Sequence, residues 1–466
     1  MPQNPDLTLI QNLLQAGQHA EAERRLQEIC AGPGADAQSW FFLGAISGMR
    51  GDAAGAESGC RKALALNPGF LQAQFNLGIA LRDQGRLDEA RAELEAVVAK
   101  QPQHADASNA LGCIYQRFER MDDAERCFRA ALARYPVFPD ALTNLGNVLA
   151  SRKCWAEAVD YYRRALAAAP AHNGVAFNLG NTLVELGRFE EAISAYRQSI
   201  ATHPENVEAH VQLGNTFNQC GKRKEAEQAF REALRVSPGH KEAQYFLAVM
   251  GAAERPNTVP PGYVSRLFDG YAETFDDHLV GKLQYRTPEA LWGAVQAALA
   301  ERRDLDVLDL GCGTGLCGAL FKPLSRTLAG VDLSPKMVDK ARARAVYDEL
   351  ETGELTDALS KREGALDVVL ASDVFNYVGD LDAVFRMVAR ALRPAGLLAF
   401  SVETANAEKG EGYALGSTGR YAHAPAYVPQ LAQRYGFAPV SVEDLCIRME
   451  GDQPVIGEIY VLRRTA

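Results

Sequence analysis

The chain has 466 residues, 47% hydrophobic and 23% charged, with a formal net charge of -10, which is enough polypeptide for two or three folded modules. With a pI of about 5.5 and no block of basic residues, nucleic acid is disfavoured as partner or substrate. No stretch approaches the apolar length of a membrane span and the opening MPQNPDLTLIQNLL lacks a basic start, so we expect no membrane insertion and a cytoplasmic location. The nine cysteines are scattered, odd in number and without a CxxC pair, so no zinc or other metal site is expected.

From the N-terminus the sequence repeats itself every 34 residues. Leu43, Leu77, Leu111, Leu145, Leu179 and Leu213 keep register, as do the alanines from Ala22 to Ala226 and the prolines from Pro68 to Pro238. Glycines such as Gly44, Gly78, Gly112, Gly146 and Gly180 let two helices approach, and Phe128, Tyr162, Tyr196 and Phe230 fill the space beside them. Gly17, Gly51, Gly85, Gly187 and Gly221 mark a turn within each unit, where two units carry Glu119 and Lys153 at a cost on the order of 1 kcal/mol if the backbone is left-handed. The period and residue types resemble tetratricopeptide (TPR) repeats. That resemblance implies an all-α solenoid of about seven repeats over residues 3–250, closed by the capping helix KEAQYFLAVMGA, with a concave groove for a protein or peptide ligand. Asn144, Asn147, Asn178, Asn181 and Asn215 recur at fixed helix positions, where stacked amides can pair with an extended backbone or simply solvate the groove.

Residues 251–262, GAAERPNTVPPG, read as a short stiff linker because of Pro256, Pro260 and Pro261. The segment from 263 to 300 is too aromatic and too patterned for linker, and its rings suit either a lid or the core of a small helical layer.

Residues 307–316, VLDLGCGTGL, are an apolar strand that ends in an acid and enters a glycine turn. Gly313, Gly315 and Gly318 satisfy G-x-G-x-x-G with Asp332 about 20 residues on, so a dinucleotide site and a purely structural turn both stand on the glycines alone. The surroundings decide: Asp309 and Gly311 precede the turn, and the next strand ends GVDLSPKMVDKAR, where Asp332 can accept from both ribose hydroxyls. This resembles motifs I and II of class I S-adenosylmethionine-dependent methyltransferases. Downstream, ALDVVLASDVFNYV reads as a strand buried on both faces, DLDAVFRMVARALRP as a helix stopped at Pro394, and GLLAFSVE as the next strand. Ala395 stands where such proteins often have a second glycine.

The resemblance implies an α/β Rossmann-like core over 301–466, with a seven-stranded mixed sheet completed by strands near 438–446 and 456–463. It implies S-adenosyl-L-methionine as cofactor, held by Asp309, Gly311, Cys312, Gly313, Gly315, Asp332, Leu333, Met337, Glu354, Ser372 and Asp373. Residues 263–300 would form a lid in which Tyr263, Phe268, Tyr271 and Phe275 cover the site and Arg286 clamps the cofactor carboxylate. The stretch 411–428, EGYALGSTGRYAHAPAYV, lies where related enzymes place acceptor-binding residues. His423 is the candidate general base, Arg420 a candidate partner for an acceptor carboxylate or phosphate, and Tyr421 a third candidate. The expected function is methyl transfer with the repeats recruiting a protein substrate or partner complex. The alternative is a repeat scaffold whose methyltransferase domain binds cofactor but turns over weakly or not at all. No acceptor and no oligomeric state follow from the sequence.

Overall fold

The computed structural model describes residues 5–32, 35–172, 174–277, 285–299, 301–405, 412–450 and 453–465. Its contacts divide the chain into two units, Met1–Gly221 and Lys222–Ala466.

Unit 1 is all helix in antiparallel pairs: α1 (Pro5–Gln15) with α2 (His19–Ala31), α3 (Ala37–Met49) with α4 (Ala53–Leu66), and α5 (Leu71–Asp83) with α6 (Leu87–Lys100). It continues with α7 (Ala105–Arg117) and α8 (Met121–Arg134), α9 (Pro139–Ser151) and α10 (Trp155–Ala168), α11 (Val175–Glu185) and α12 (Phe189–Thr202), then α13 (Val207–Gln219). The 34-residue columns have direct packing causes. A Cβ built on Gly112, Gly146 or Gly180 would stand 2.5 to 2.7 Å from the ring of Phe128, Tyr162 or Tyr196, so glycine on one helix is the socket for the aromatic on its partner. The alanine column is buried from Ala22 to Ala192. Gly17, Gly51, Gly85 and Gly187 turn each pair with φ between 69° and 80°, and Glu119 and Lys153 adopt the same left-handed geometry at 59° and 61°. Consecutive odd-numbered helices from α3 to α13 touch one another, which puts them on the inner side of the array.

Unit 2 opens with α14 (Arg223–Val236), α15 (Lys241–Val249), α16 (Pro261–Tyr271) and α17 (Thr287–Leu299). The expected solenoid end at 250 is therefore not where the contacts divide. Tyr245 of α15 is buried with Val259, Val264 and Tyr421, and its hydroxyl donates to the Gly419 carbonyl at 2.6 Å. Residues 251–262 are a strap and not a free linker. The Val259 amide donates to the Tyr377 carbonyl at 2.9 Å, the Gly379 and Asp380 amides donate to the Asn257 carbonyl at 2.9 and 3.0 Å, and the Tyr421 hydroxyl donates to the Pro256 carbonyl.

Five parallel strands form the centre of the sheet, in the order β3 (Glu349–Thr352), β2 (Ser325–Asp332), β1 (Leu305–Leu310), β4 (Leu366–Ala371), β5 (Leu392–Thr404). After β7 (Tyr421–His423) come β8 (Phe437–Glu450) and β9 (Gln453–Arg464), and β9 runs antiparallel between β5 and β8. These seven strands match the expected sheet. The sheet gains two more, because β6 (Tyr413–Leu415) and β7 form a ribbon whose β7 pairs with Glu403 and Thr404 at the end of β5. Strand residues alternate between two cores. Val307, Leu370 and Ala399 face α17 and α18 (Leu316–Phe321). Leu308, Val369 and Phe400 face α20 (Leu355–Ser360), α21 (Asp382–Ala391) and α22 (Tyr427–Arg434), as a parallel sheet covered on both faces requires. The strand order reverses at β1 and β4, so a ligand crevice is expected above their carboxyl ends.

Candidate active site

That crevice is a cavity of about 620 Å³. Its floor is the turn after β1. Gly311, Gly313 and Gly315 have φ of 63°, 54° and 91°, which lets the chain double back at the strand end. Gly315 caps α18, while a Cβ on Gly313 would meet nothing nearer than Phe275 at 3.8 Å. The backbone there is open to a ligand. The Cys312 amide donates to the Val331 carbonyl at 3.0 Å, so Cys312 contributes to the turn through its backbone.

Two carboxyls stand on either side of this floor. Asp309, 1% exposed, accepts from the Tyr347 hydroxyl at 2.7 Å. Burial pushes its carboxyl up to about 7, with the Tyr347 hydrogen bond opposing and the charge of Asp332 adding to the rise. Asp332 accepts from the Gly313 amide at 2.9 Å and the Ser334 amide at 2.8 Å. Burial raises it as well, against those backbone hydrogen bonds.

Leu333, Glu354, Ser372, Asp373 and Tyr271 also line the cavity. Three expected cofactor residues do not. Gly315 faces Tyr347 and Arg344, and Met337 is fully buried, its amide capped by Ser334 Oγ. Arg286 is exposed and lies outside the lining; its neighbour Tyr285 is the lining residue, bonded through its hydroxyl to Ser372 Oγ at 2.8 Å. In the segment expected as a lid, Tyr263, Phe268 and Phe275 line the cavity, and Tyr263 and Phe268 also pack on the Tyr245 cluster. This segment is fastened to the glycine floor by acids that no motif marked. Asp269 accepts from Ser334 Oγ at 2.6 Å, and Asp276 bonds Thr314 Oγ1 and Arg344.

The opposite end of the cavity is charged. Arg448, 2% exposed, pairs with Asp373 at 3.3 Å, Glu403 at 2.6 Å and Glu450 at 3.0 Å. The register shift between Cys446 and Arg448 marks the bulge that turns this side chain inward. Asp373 follows β4 in the left-handed region, at φ 56°, and its amide donates to Ser401 Oγ at 2.8 Å. Burial pushes its carboxyl up while Arg448 and Arg420 oppose. Arg420 lines the cavity and pairs with Glu450.

The two other catalytic candidates lie outside the cavity lining. His423 is 1% exposed and outside the cavity lining. Its Nε2 donates to the Val378 and Gly379 carbonyls, each at 3.1 Å, and its ring stacks on Tyr427. Burial pulls the imidazole down to about 4, so it is a neutral packing group and not a base facing a substrate. Tyr421 spends its hydroxyl on the Pro256 carbonyl, which makes it an anchor for the strap.

In unit 1 the asparagines are half-buried and linked to one another. Asn144 Nδ2 donates to Asn109 Oδ1 at 3.0 Å. Asn147 Oδ1 accepts from Tyr162 at 2.7 Å and from Asn178 Nδ2 at 2.9 Å, and Asn181 Oδ1 accepts from Tyr196 at 2.8 Å. Asn215 holds the equivalent position on α13. Among the described residues no helix is long and apolar enough to cross a membrane.

Residues 308–400 match the family model described as a methyltransferase domain. Tetratricopeptide models match 5–28, 49–114, 109–173, 180–221 and 207–240. The chain thus joins tetratricopeptide repeats to a class I methyltransferase domain. Over 173 residues it is 27% identical to the malonyl-[acyl-carrier protein] O-methyltransferase of Serratia marcescens, a match covering 37% of this chain and 65% of that protein. Over 149 residues it is 30% identical to a ubiquinone biosynthesis O-methyltransferase of Thiobacillus denitrificans, covering 31% and 60%. The chain therefore spans less than two thirds of these curated relatives' length. Among solved structures, pilF of Pseudomonas aeruginosa is 22% identical with a TM-score of 0.42, covering 46% of this chain and 96% of that one.

Proposed function

We propose that the protein is an S-adenosylmethionine-dependent methyltransferase whose repeats recruit a protein that carries or accompanies the methyl acceptor. One observation carries the reading: Asp309 and Asp332, at the carboxyl ends of adjacent parallel strands, line one cavity across a left-handed glycine floor. The residues suit the group. Asp309 offers a carboxylate to an ammonium, Asp332 offers one to ribose hydroxyls, and the backbone at Gly313 accepts close approach. When bound, S-adenosylmethionine would supply an activated methyl group.

The chain's own residues do the rest. Tyr263, Phe268, Tyr271 and Phe275 exclude water over the floor, and Asp269 and Asp276 hold that cover down. Asp373, poised between burial and Arg448, is the carboxyl placed to take a proton from an acceptor, and Arg420 orients an anionic group on it. The relatives named above are O-methyltransferases, one acting by its name on a protein-borne group, which favours an oxygen acceptor delivered on a protein. The amides of Asn144, Asn147, Asn178, Asn181 and Asn215 would line the docking face.

Calorimetry tests the cofactor, with S-adenosylmethionine, S-adenosylhomocysteine and NAD titrated into wild type and Asp332→Asn. Micromolar binding of the first two, at least about tenfold weaker in the variant, is the expected result. Binding of NAD alone, or of none of them by the folded protein, overturns the reading.

A further inference from the structure

Tyr347 stands behind Asp309 in the loop between α19 (Pro335–Ala343) and β3, far from any recognisable motif. Its hydroxyl reaches Asp309 Oδ2 only because three glycines from three places make room for the ring. A Cβ on Gly315, which caps α18, would lie 3.0 Å from ring Cε2; one on Gly330 in β2 would lie 2.9 Å from Cε1; one on Gly318 in α18 would overlap Cζ and the hydroxyl. The approaches at Gly318 and Gly330 are closer than real side chains adopt and that at Gly315 is tight, and a packed ring cannot move aside cheaply. Gly318 is the third glycine of the G-x-G-x-x-G spacing, and here it faces an aromatic ring. The likeness to a dinucleotide fingerprint thus has a local packing cause.

We propose that Tyr347 is the positioning residue of the ammonium site: threaded through the slot of Gly315, Gly318 and Gly330, its hydroxyl holds the Asp309 carboxylate in the charged, oriented form that a cofactor's amino group needs. The proposal rests on the reading of Asp309 as partner of that amino group. Burial alone drives Asp309 toward the neutral acid, which cannot pair with an ammonium, and the Tyr347 hydrogen bond is the interaction opposing it. Among the described residues the groups facing the carboxyl are few: Tyr347 from the loop, Asp332 from β2, and the thiols of Cys312 in the turn and Cys317 in α18. Both thiols are held well above their usual range by burial, and Tyr347 is likewise held as the neutral donor. No cation among them substitutes for the hydroxyl.

The test uses the full chain as wild type, Tyr347→Phe and Gly318→Ala, with Asp309→Asn as the reference in each background. S-adenosylhomocysteine binding is measured by calorimetry from about pH 5.5 to 8.5, beside thermal midpoints of the ligand-free proteins over the same range. Wild-type affinity should rise with pH and level off above about 7. Tyr347→Phe keeps the ring and loses the hydroxyl, so it should bind about tenfold more weakly near neutrality, with the gap closing at the alkaline end. The raised pKa of folded Asp309 also gives the ligand-free sign. Its contribution to stability is fully present below the ordinary carboxylate range and is lost as pH rises through about 7. In Tyr347→Phe that loss should move about one pH unit higher, and Asp309→Asn should abolish it. Gly318→Ala should show the same shift with the hydroxyl still present in the chain. A drop in affinity that is uniform across pH, or a melting profile that does not shift, overturns the role. Shifted melting without ligand binding upholds the Tyr347–Asp309 coupling and overturns the cofactor reading alone.

Discussion

At the scale of residues, two neighbouring glycines have different reasons to be glycine, and substitution separates them. A methyl group on Gly311 would meet Val374 Cγ2 at 2.5 Å, while one on Gly313 would meet nothing nearer than Phe275 at 3.8 Å. Gly311→Ala should therefore lose about 2–4 kcal/mol of stability from overpacking added to left-handed strain. Gly313→Ala should lose about 1–2 kcal/mol from strain alone, yet weaken cofactor binding at least about tenfold, because its methyl occupies ligand space. Urea unfolding and calorimetry on the two variants check the pair. The acids and glycines around this turn were legible in the sequence because they sit within one strand, one turn and the end of the next strand. Tyr347 and Arg448 were not, since the crevice acids they reach, Asp309 and Asp373, lie 38 and 75 residues away and no local spacing encodes either contact. His423 misled for the complementary reason: sequence shows that an imidazole is present and gives no sign that two carbonyls already hold it.

Among elements, the turns carry a measurable cost. Glu119 and Lys153 occupy hairpin turns with φ of 59° and 61°, and Ala395 sits within β5 at 63°. Glycine at each should stabilise the chain by about 0.5–1 kcal/mol, the left-handed penalty less the unfolded-state entropy that glycine adds. A triple variant melting no higher than wild type would contradict that. The two repeat turns were readable as departures from a glycine column. Four of the five parallel strands were readable as apolar runs, whereas β3, ELET, has no such run, and the β6–β7 ribbon was hidden because two strands of three residues each are too short for any alternation to register.

For the whole molecule, the boundary is the informative feature. Composition pointed to residues 251–262 because prolines cluster there, but proline content reports stiffness and says nothing of what the stiff segment is bonded to. The contacts divide the chain at Gly221 and Lys222, and a truncation series distinguishes the two positions. A piece starting at Lys222 should unfold cooperatively and bind cofactor as the full chain does. A piece starting at Tyr263 lacks buried Tyr245 and Val259 and the hydrogen bond to Gly419, and should be less stable by about 3 kcal/mol or more with weakened binding. Equal denaturant midpoints for the two pieces would refute this assignment.

Helix α15 follows a stretch with repeat spacing, Ala226, Phe230 and Pro238, and at the same time gives Tyr245 to the wall of the cavity. Gene fusion usually leaves a seam at which modules can later be exchanged. Here a crossover at the proline strap would carry away part of the cavity wall, so α15 is inherited with the sheet that follows it, and any reshuffling of the array must leave it in place.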